Sequence, residues 1–317
     1  MNNKYWSLLL MSVVLLIIPW ILPNRYFLNV AVLIGIYVLI TIGLNLLIGY
    51  AGQISLGHAA FYGIGSYTVA IITTRFKGDH LLALIAALCL AGLIAWIIGK
   101  PTLKLKGHYL AMATLGFGFI VQILLEEMAD LTGGPQGISG IPKLTIMGFK
   151  FISDLEIYFL VWGLVIFTQL MVVNLIRSKI GRAFLAIHTN ETAADSLGVN
   201  TASLKMTVFI ISAALAGLAG GLYAFSISYI NPEPFGFSFS ILLVTMVIIG
   251  GMGDLWGPIL GTVILAVIPE LLRAFKDFDI LIYGFILILI IIFMPKGIIS
   301  LFYRGFSKLS ARSATHE

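Results

Sequence analysis

The stretch from Gly43 to Tyr67, GLNLLIGYAGQISLGHAAFYGIGSY, decides how this chain folds. It begins and ends in apolar, helix-forming sequence, but its middle, from Gly49 to Gly57, is crowded with glycines and polar residues. Followed outward, residues 28 to 73 are almost continuously apolar, well beyond the roughly 20 residues that one bilayer crossing needs. The glycine-rich patch therefore reads as a break between membrane segments. Irregular backbone at that depth survives only where protein or a water-lined cavity satisfies its polar groups. Residues 235 to 269 repeat the arrangement around Gly250 to Gly257, and Gly49, Gly52 and Gln53 recur in spacing as Gly250, Gly253 and Asp254.

The whole chain has the same character. Its 317 residues are 60% hydrophobic and 10% charged, with a mean hydropathy of +1.05, whereas a soluble domain is roughly 45–50% apolar and 25% charged. These figures exclude a water-soluble globular protein and a disordered one. Lysine and arginine exceed the acids by 19 to 14, but in short scattered clusters, so membrane lipid is an expected partner and nucleic acid is not. A single cysteine, Cys89, sits in an apolar run, which excludes a disulfide framework and a thiolate metal site and reads as a small buried hydrophobe. Lys4 followed by the apolar run from Tyr5 to Leu22 is longer than a signal-peptide core and has no small-residue cleavage site after it, so a retained first membrane helix is expected.

The expected fold is all-α: a polytopic membrane helix bundle of about ten transmembrane helices, with broken or re-entrant segments at the two glycine patches. The spans are read at 6 to 23, 28 to 48, 54 to 73, 81 to 99, 108 to 128, 157 to 176, 206 to 226, 237 to 250, 258 to 272 and 280 to 294. That count gathers Lys4, Lys100, Lys104, Lys106, Arg177, Lys179, Arg182, Lys205, Lys296, Arg304, Lys308 and Arg312 on one face, which the positive-inside rule assigns to the cytoplasm together with both termini. Residues 1–317 form a single transmembrane domain, within which 177–205 is a cytoplasmic loop and 295–317 a basic cytoplasmic tail.

Helix interiors hold almost no ionisable groups. His58 and Asp254 are the two within glycine-rich apolar stretches, too few for a proton relay or a voltage sensor. The driving energy is therefore expected from outside the chain. Ala213, Gly217 and Gly221, like Gly253, Gly257 and Gly261, recur every four residues, the small-residue spacing by which membrane helices pack closely. Gln53, Ser55, Gly57 and His58 are the candidate pathway residues, because unwound backbone can present amides and carbonyls to a zwitterion. The competing reading is that Ser55 and His58 satisfy buried polar groups between helices. In the cytoplasmic loop, Arg177, Lys179 and Arg182 are read as headgroup contacts. From Asn190 a short helix of eight residues is expected: Asn190 caps it, Glu191 and Asp195 suit its positive end, and Gly198 stops it in the left-handed conformation. Such a helix is too short to stand alone, and Ala193, Ala194 and Gly198 favour a groove on a cytoplasmic partner. The string Gly137-Ile138-Ser139-Gly140 lies in an external loop without a helix starting behind it, and no later membrane span holds a histidine, so it is not read as a protease site. No nucleotide-binding loop and no metal site are present in the sequence.

The run Glu191-Thr192-Ala193-Ala194-Asp195-Ser196-Leu197-Gly198 resembles the EAA loop by which ABC-importer permeases engage their ATPases, with Thr192 at the usual glutamate position. Four longer motifs cover nearly the whole chain: 43 to 67, LTGGPQGISGIP at 131 to 142, SAALAGLAGGLYA at 212 to 224, and IGGMGDLWGPILGTVIL at 249 to 265. Together they resemble the LivM-type permease subunits of branched-chain amino-acid ABC importers. The resemblance implies a non-enzymatic transport subunit of the bacterial cytoplasmic (inner) membrane. It implies a LivH-type second permease, two cytoplasmic ATP-binding subunits and an extracytoplasmic substrate-binding protein, with ATP and Mg held by the ATPase partners and no cofactor in this chain. Asn190, Glu191, Ala193, Ala194, Asp195 and Gly198 are then the ATPase-coupling residues. Similar permeases serve urea and short amides, and a sodium-coupled secondary carrier and a passive channel are the alternatives from other classes.

Overall fold

A computed structural model describes residues 3–21, 24–146, 148–272, 284, 288, 292 and 297–299. Nine apolar helices correspond to the first nine expected spans: α1 (Asn3–Ile21), α2 (Arg25–Asn45, prolonged by a π turn over Leu46–Tyr50), α3 (His58–Thr74), α4 (His80–Thr102), α5 (His108–Glu127), α7 (Asp154–Arg177), α10 (Thr201–Ile227), α11 (Phe237–Gly250) and α12 (Gly257–Leu272). Between them lie the short α6 (Ala129–Thr132), α8 (Lys179–Thr189) and α9 (Glu191–Ser196). Among the described residues, five helices are long and apolar enough to cross a bilayer: Arg25–Tyr50, His80–Thr102, His108–Glu127, Asp154–Arg177 and Thr201–Ile227. The tenth expected span, 280 to 294, and the basic tail, 295–317, lie for the most part outside the described residues.

Two helices form the centre. From residue 38 to residue 51 every position of α2 and its π turn is buried, which is why this segment is apolar on all faces. α10 crosses α3 and α4 at glycine contacts too close for a side chain. A Cβ on Gly220 would overlap the Tyr62 carbonyl, and one on Gly217 would lie 2.7 Å from the Ala87 carbonyl oxygen. Gly221 faces Leu84 and Val69, and Ala213 is fully buried. On the other face of Gly217, its own carbonyl meets Gly65, a partner that the spacing pattern does not reveal. Lipid supplies no hydrophobic drive for helix association, so such close backbone approach and its dispersion energy hold the bundle together.

α11 has 14 residues, about 21 Å at 1.5 Å per residue, short of a hydrocarbon core of about 30 Å. It turns back at residues 251–256 into α12, and Gly257 and Gly261 press on the carbonyls of Gly251 and Met246. This hairpin and the break after α2 meet at the same end of the bundle. Gly49 sits against the backbone of Gly253 without room for a Cβ. Asn45 clasps the second break: its Nδ2 donates to the Asp254 carbonyl at 2.8 Å, and its Oδ1 accepts from the Gly253 amide at 2.9 Å. Thr41 and Thr262 share a hydrogen bond of 2.9 Å farther along α2, and Gln169 of α7 donates to the Leu255 carbonyl at 2.5 Å.

The architecture is the expected helical bundle, with two short ribbons in its loops: β1 (Ile138–Ser139) pairs antiparallel with β4 (Tyr229–Ile230), and β2 (Thr145–Ile146) with β3 (Phe149–Lys150). These ribbons close the end of the bundle opposite the breaks. Gly137, at φ +70° and against the Ile230 carbonyl, makes the turn into β1, a conformation that favours glycine, and Ser139 is one of the paired strand residues. Cys89, expected to be buried, lies on an exposed face of α4, because the packed stripe of that helix is Ala83, Ala87, Ala91 and Ala95.

Candidate functional site: the break after α2 and the loop beneath it

The π turn ends the first membrane segment without leaving its amides bare, since Ala51 N donates to the Leu46 carbonyl at 3.2 Å and Gln53 N to that of Leu47 at 3.0 Å. Gly52 then takes φ +68°, and irregular backbone leads from it to α3. The first amides of α3 have no carbonyls of their own helix to bond. Hydroxyls satisfy them instead: Leu56 N donates to Thr114 Oγ1 of α5 at 3.0 Å, Gly57 N to Ser55 Oγ at 3.4 Å, and Ala59 N to Ser240 Oγ of α11 at 3.2 Å. Gly57 has no space for a side chain, because a Cβ would lie 2.6 Å from the Thr114 carbonyl oxygen.

His58 is buried at the start of α3, and both its ring nitrogens have partners. Nδ1 lies 3.1 Å from Ser55 Oγ and Nε2 lies 2.7 Å from Ser212 Oγ on α10. Either tautomer is satisfied, because each hydroxyl can donate or accept. Three of the four candidate pathway residues, Ser55, Gly57 and His58, are thus gathered into one polar knot joining α3, α5, α10 and α11. The fourth, Gln53, stands apart from it. Gln53 is 4% exposed, neither amide atom of its side chain has a partner, and it lines a small cavity facing α8 and α9. Asp254 organises the second break, where its Oδ1 accepts from the Trp256 amide at 2.8 Å.

The loop is more structured than expected. Its basic first half is itself a helix, α8, whose first amides bond Ser178 Oγ and which buries Gly181, Phe184 and Ile187. α9 spans six residues where eight were expected. Asn190 Oδ1 caps it by accepting from the Ala193 amide at 3.0 Å. At its other end Gly198 takes φ +82°, with Gly198 N donating to the Asp195 carbonyl and Val199 N to that of Ala194, the Schellman arrangement. Glu191 lies in the first turn, as read. Asp195 instead lies near the last residue, where its carboxylate accepts from Thr201 Oγ1 at 2.6 Å. Ala194 is buried under the helix, whereas Ala193 is exposed and Leu197 is 84% exposed.

Sequence reading missed the contacts that tie this loop down. Glu191 forms an ion pair with Lys205 of α10 at 2.8 Å and approaches Lys106 at 3.7 Å. Lys205 is only 7% exposed, and a buried cation needs such a partner. Gly52 of the break packs against His188 at the end of α8. Lys205 could have been suspected as a lysine beginning an apolar helix, but Ser212 and Ser240 carry no sequence signal that sets them apart. α10 thus carries both halves of one linkage: Thr201 and Lys205 bond α9, and Ser212, seven residues farther on, bonds His58. A displacement of α9 therefore has a bonded route of about two helical turns to the start of α3. Among the described residues no group of three or more His, Cys, Asp or Glu could hold a metal ion.

Known proteins share this pattern of sequence. Residues 26–294 match the family described as branched-chain amino acid transport system / permease component. The chain is 36% identical over 321 residues to the high-affinity branched-chain amino acid transport system permease protein LivM of Salmonella typhimurium, covering 92% of this chain and 75% of that one. To LivM of Escherichia coli it is 36% identical over 317 residues, with the same coverage. To LivH of Salmonella typhimurium it is 28% identical over 281 residues, covering 83% of this chain and 91% of that one. No solved structure matches the chain. A bundle of apolar helices, two facing glycine breaks and this extent of likeness together make the chain a member of the branched-chain amino acid transport system permease family, a multi-pass membrane protein.

Proposed function

We propose that this chain is the LivM-type permease subunit of an ABC importer for branched-chain amino acids. It crosses the bacterial cytoplasmic membrane about ten times, with both termini in the cytoplasm. It forms the pathway with a LivH-type permease, receives substrate from an extracytoplasmic binding protein and is driven by two cytoplasmic ATPases that hold the ATP and Mg. α9 is the coupling helix. When the ATPases close they push on it, Glu191–Lys205 and Asp195–Thr201 carry the push to α10, and Ser212–His58 passes it to α3 and the break at 51–57. Ser55, Gly57 and His58 fix the wall of the pathway there.

The observation that carries this reading is α9 itself. It is a six-residue helix capped at both ends, bonded on one side to α10 and presenting Leu197, 84% exposed, on the other. An isolated helix of that length is unstable, and the side of α9 turned away from α10, with Ala193 and Leu197 exposed, is open to a partner. Reconstitution tests the assignment. Proteoliposomes with all five components are expected to take up leucine only with ATP, and omitting either the ATPases or the binding protein should abolish uptake. Uptake by this chain alone, indifferent to ATP, would establish a secondary carrier instead.

A further inference from the structure

We infer that the groove between α4 and α5 is a binding site for an anionic phospholipid of the cytoplasmic leaflet, with one acyl chain in the groove and the phosphate held by Lys100 and Lys104. The inference goes beyond the proposed function and takes from it only which end of the bundle faces the cytoplasm. Although consecutive in the chain, α4 and α5 leave a gap between them, floored by α3, of about 740 Å³. Its walls are apolar, with Ile64 and Ile71 of α3, Ile94 and Ile98 of α4, and Ile120 and Leu124 of α5 among them. Gly116 widens it, since nothing lies within 4 Å of a Cβ placed there. Along α5 the groove runs from residue 113 to residue 128, about 22 Å at 1.5 Å per residue. Its mean section is therefore about 34 Å², roughly 6–7 Å across, whereas a helix with its side chains is about 10–12 Å wide. A hydrocarbon chain fits this width, and a partner helix does not.

The apolar walls alone select no particular lipid, because a lipid tail gains no hydrophobic energy by moving there from the bilayer. Charge at the two ends decides the headgroup. At the cytoplasmic end Pro101 and Thr102 line the groove, and the neighbouring Lys100 and Lys104 are exposed and in no ion pair among the described residues. Lys106 is turned instead toward Glu191, at 3.7 Å. The Lys100 ammonium stands 3.6 Å from the centre of the Trp96 ring, at the depth where tryptophan sits among headgroups, and keeps its three N–H donors for a phosphate. Leu93 and Ile97, each about half exposed, carry the apolar surface of α4 from the groove toward Lys100 and cover the lipid's second chain. At the opposite end the acids Glu126, Glu127 and Asp130 outnumber Arg75 and Lys77, and the Arg75 guanidinium already donates to the Asp130 carbonyl. A phosphate is thus drawn to one end and disfavoured at the other. Basic pockets between helices on the cytoplasmic side are the setting in which anionic headgroups bind.

The test uses the complete importer in nanodiscs of phosphatidylcholine containing a small fraction of phosphatidylglycerol with a photoactivatable diazirine near the end of one chain. Peptide mapping after illumination is expected to find the label on α4 and α5 at the groove. Phosphatidylcholine with the same diazirine chain should label these peptides about tenfold less, since each lysine near an anionic headgroup is worth about fivefold. The double variant Lys100→Gln, Lys104→Gln should bring phosphatidylglycerol down to the phosphatidylcholine level. Gly116→Leu fills the groove without striking a neighbour and should remove the labelling of α4 and α5 by either lipid; it carries the test if the double variant fails to insert. Equal labelling by the two lipids would show that bulk bilayer wets the groove. No labelling by either would show that the second permease covers it, and a phosphatidylglycerol preference that survives loss of both lysines would show another headgroup site. Any of these three results overturns the inference.

Discussion

His58 and Gly49 show what single residues do here. The two hydroxyls on His58 span Ser55 in the break and Ser212 on α10, so Ser212→Ala leaves a buried ring nitrogen without its partner and is expected to destabilise the protein by about 1–3 kcal/mol. Thermal unfolding of the solubilised protein reads this directly. Gly49→Ala drives a methyl group into the backbone of Gly253 and should cost about 1–3 kcal/mol. Gly163→Ala, where nothing lies within 4 Å of the added carbon, should be neutral or stabilising by up to about 1 kcal/mol. His58, Gly49 and Gly253 are legible in the sequence because a charged-type residue and paired glycines are conspicuous in apolar surroundings. Their partners are not, since a serine at 212 or 240 resembles any other small polar residue of a membrane helix until the helices are placed side by side.

At the scale of elements, α9 is held from both ends and from one side. Asn190→Ala removes the cap and should destabilise the helix by about 1 kcal/mol. Glu191→Gln leaves Lys205 buried without its counter-charge, costing on the order of 3 kcal/mol, whereas combining it with Lys205→Met should restore most of the loss. Urea titration of ordered structure in the loop, followed by a probe on Thr192, distinguishes the two. The sequence announces α9 through Asn190 and Gly198, which are local signals. It hides α8, because Arg177, Lys179 and Arg182 draw the eye to headgroups while Gly181, Phe184 and Ile187 form a buried stripe visible only against α7 and α10. It likewise hides the role of Asp195, since a helix two residues shorter than expected moves that acid from the positive end to the far end, beside Thr201.

For the whole molecule, the two breaks are the organising feature. Each is readable as a cluster of glycines interrupting an apolar run. Their contact is not, because nothing local says that residues 49 and 253, two hundred positions apart, share one end of the bundle. Scarcity of charge in the helices supports the view of a passive pathway half, and the ion pairs of Glu191 with Lys205 and Lys106 lie where α9 meets α10. On this account force enters the chain at α9, through the surface that presents Leu197. Burying one leucine contributes about 2 kcal/mol, and a carboxylate in its place adds the cost of desolvating a charge. The most direct measurement is therefore ATP-driven leucine uptake by the fully assembled importer carrying Leu197→Asp, with membrane insertion of the chain checked in the same preparation. The account predicts normal insertion and uptake reduced at least about tenfold; uptake at the wild-type rate would contradict it.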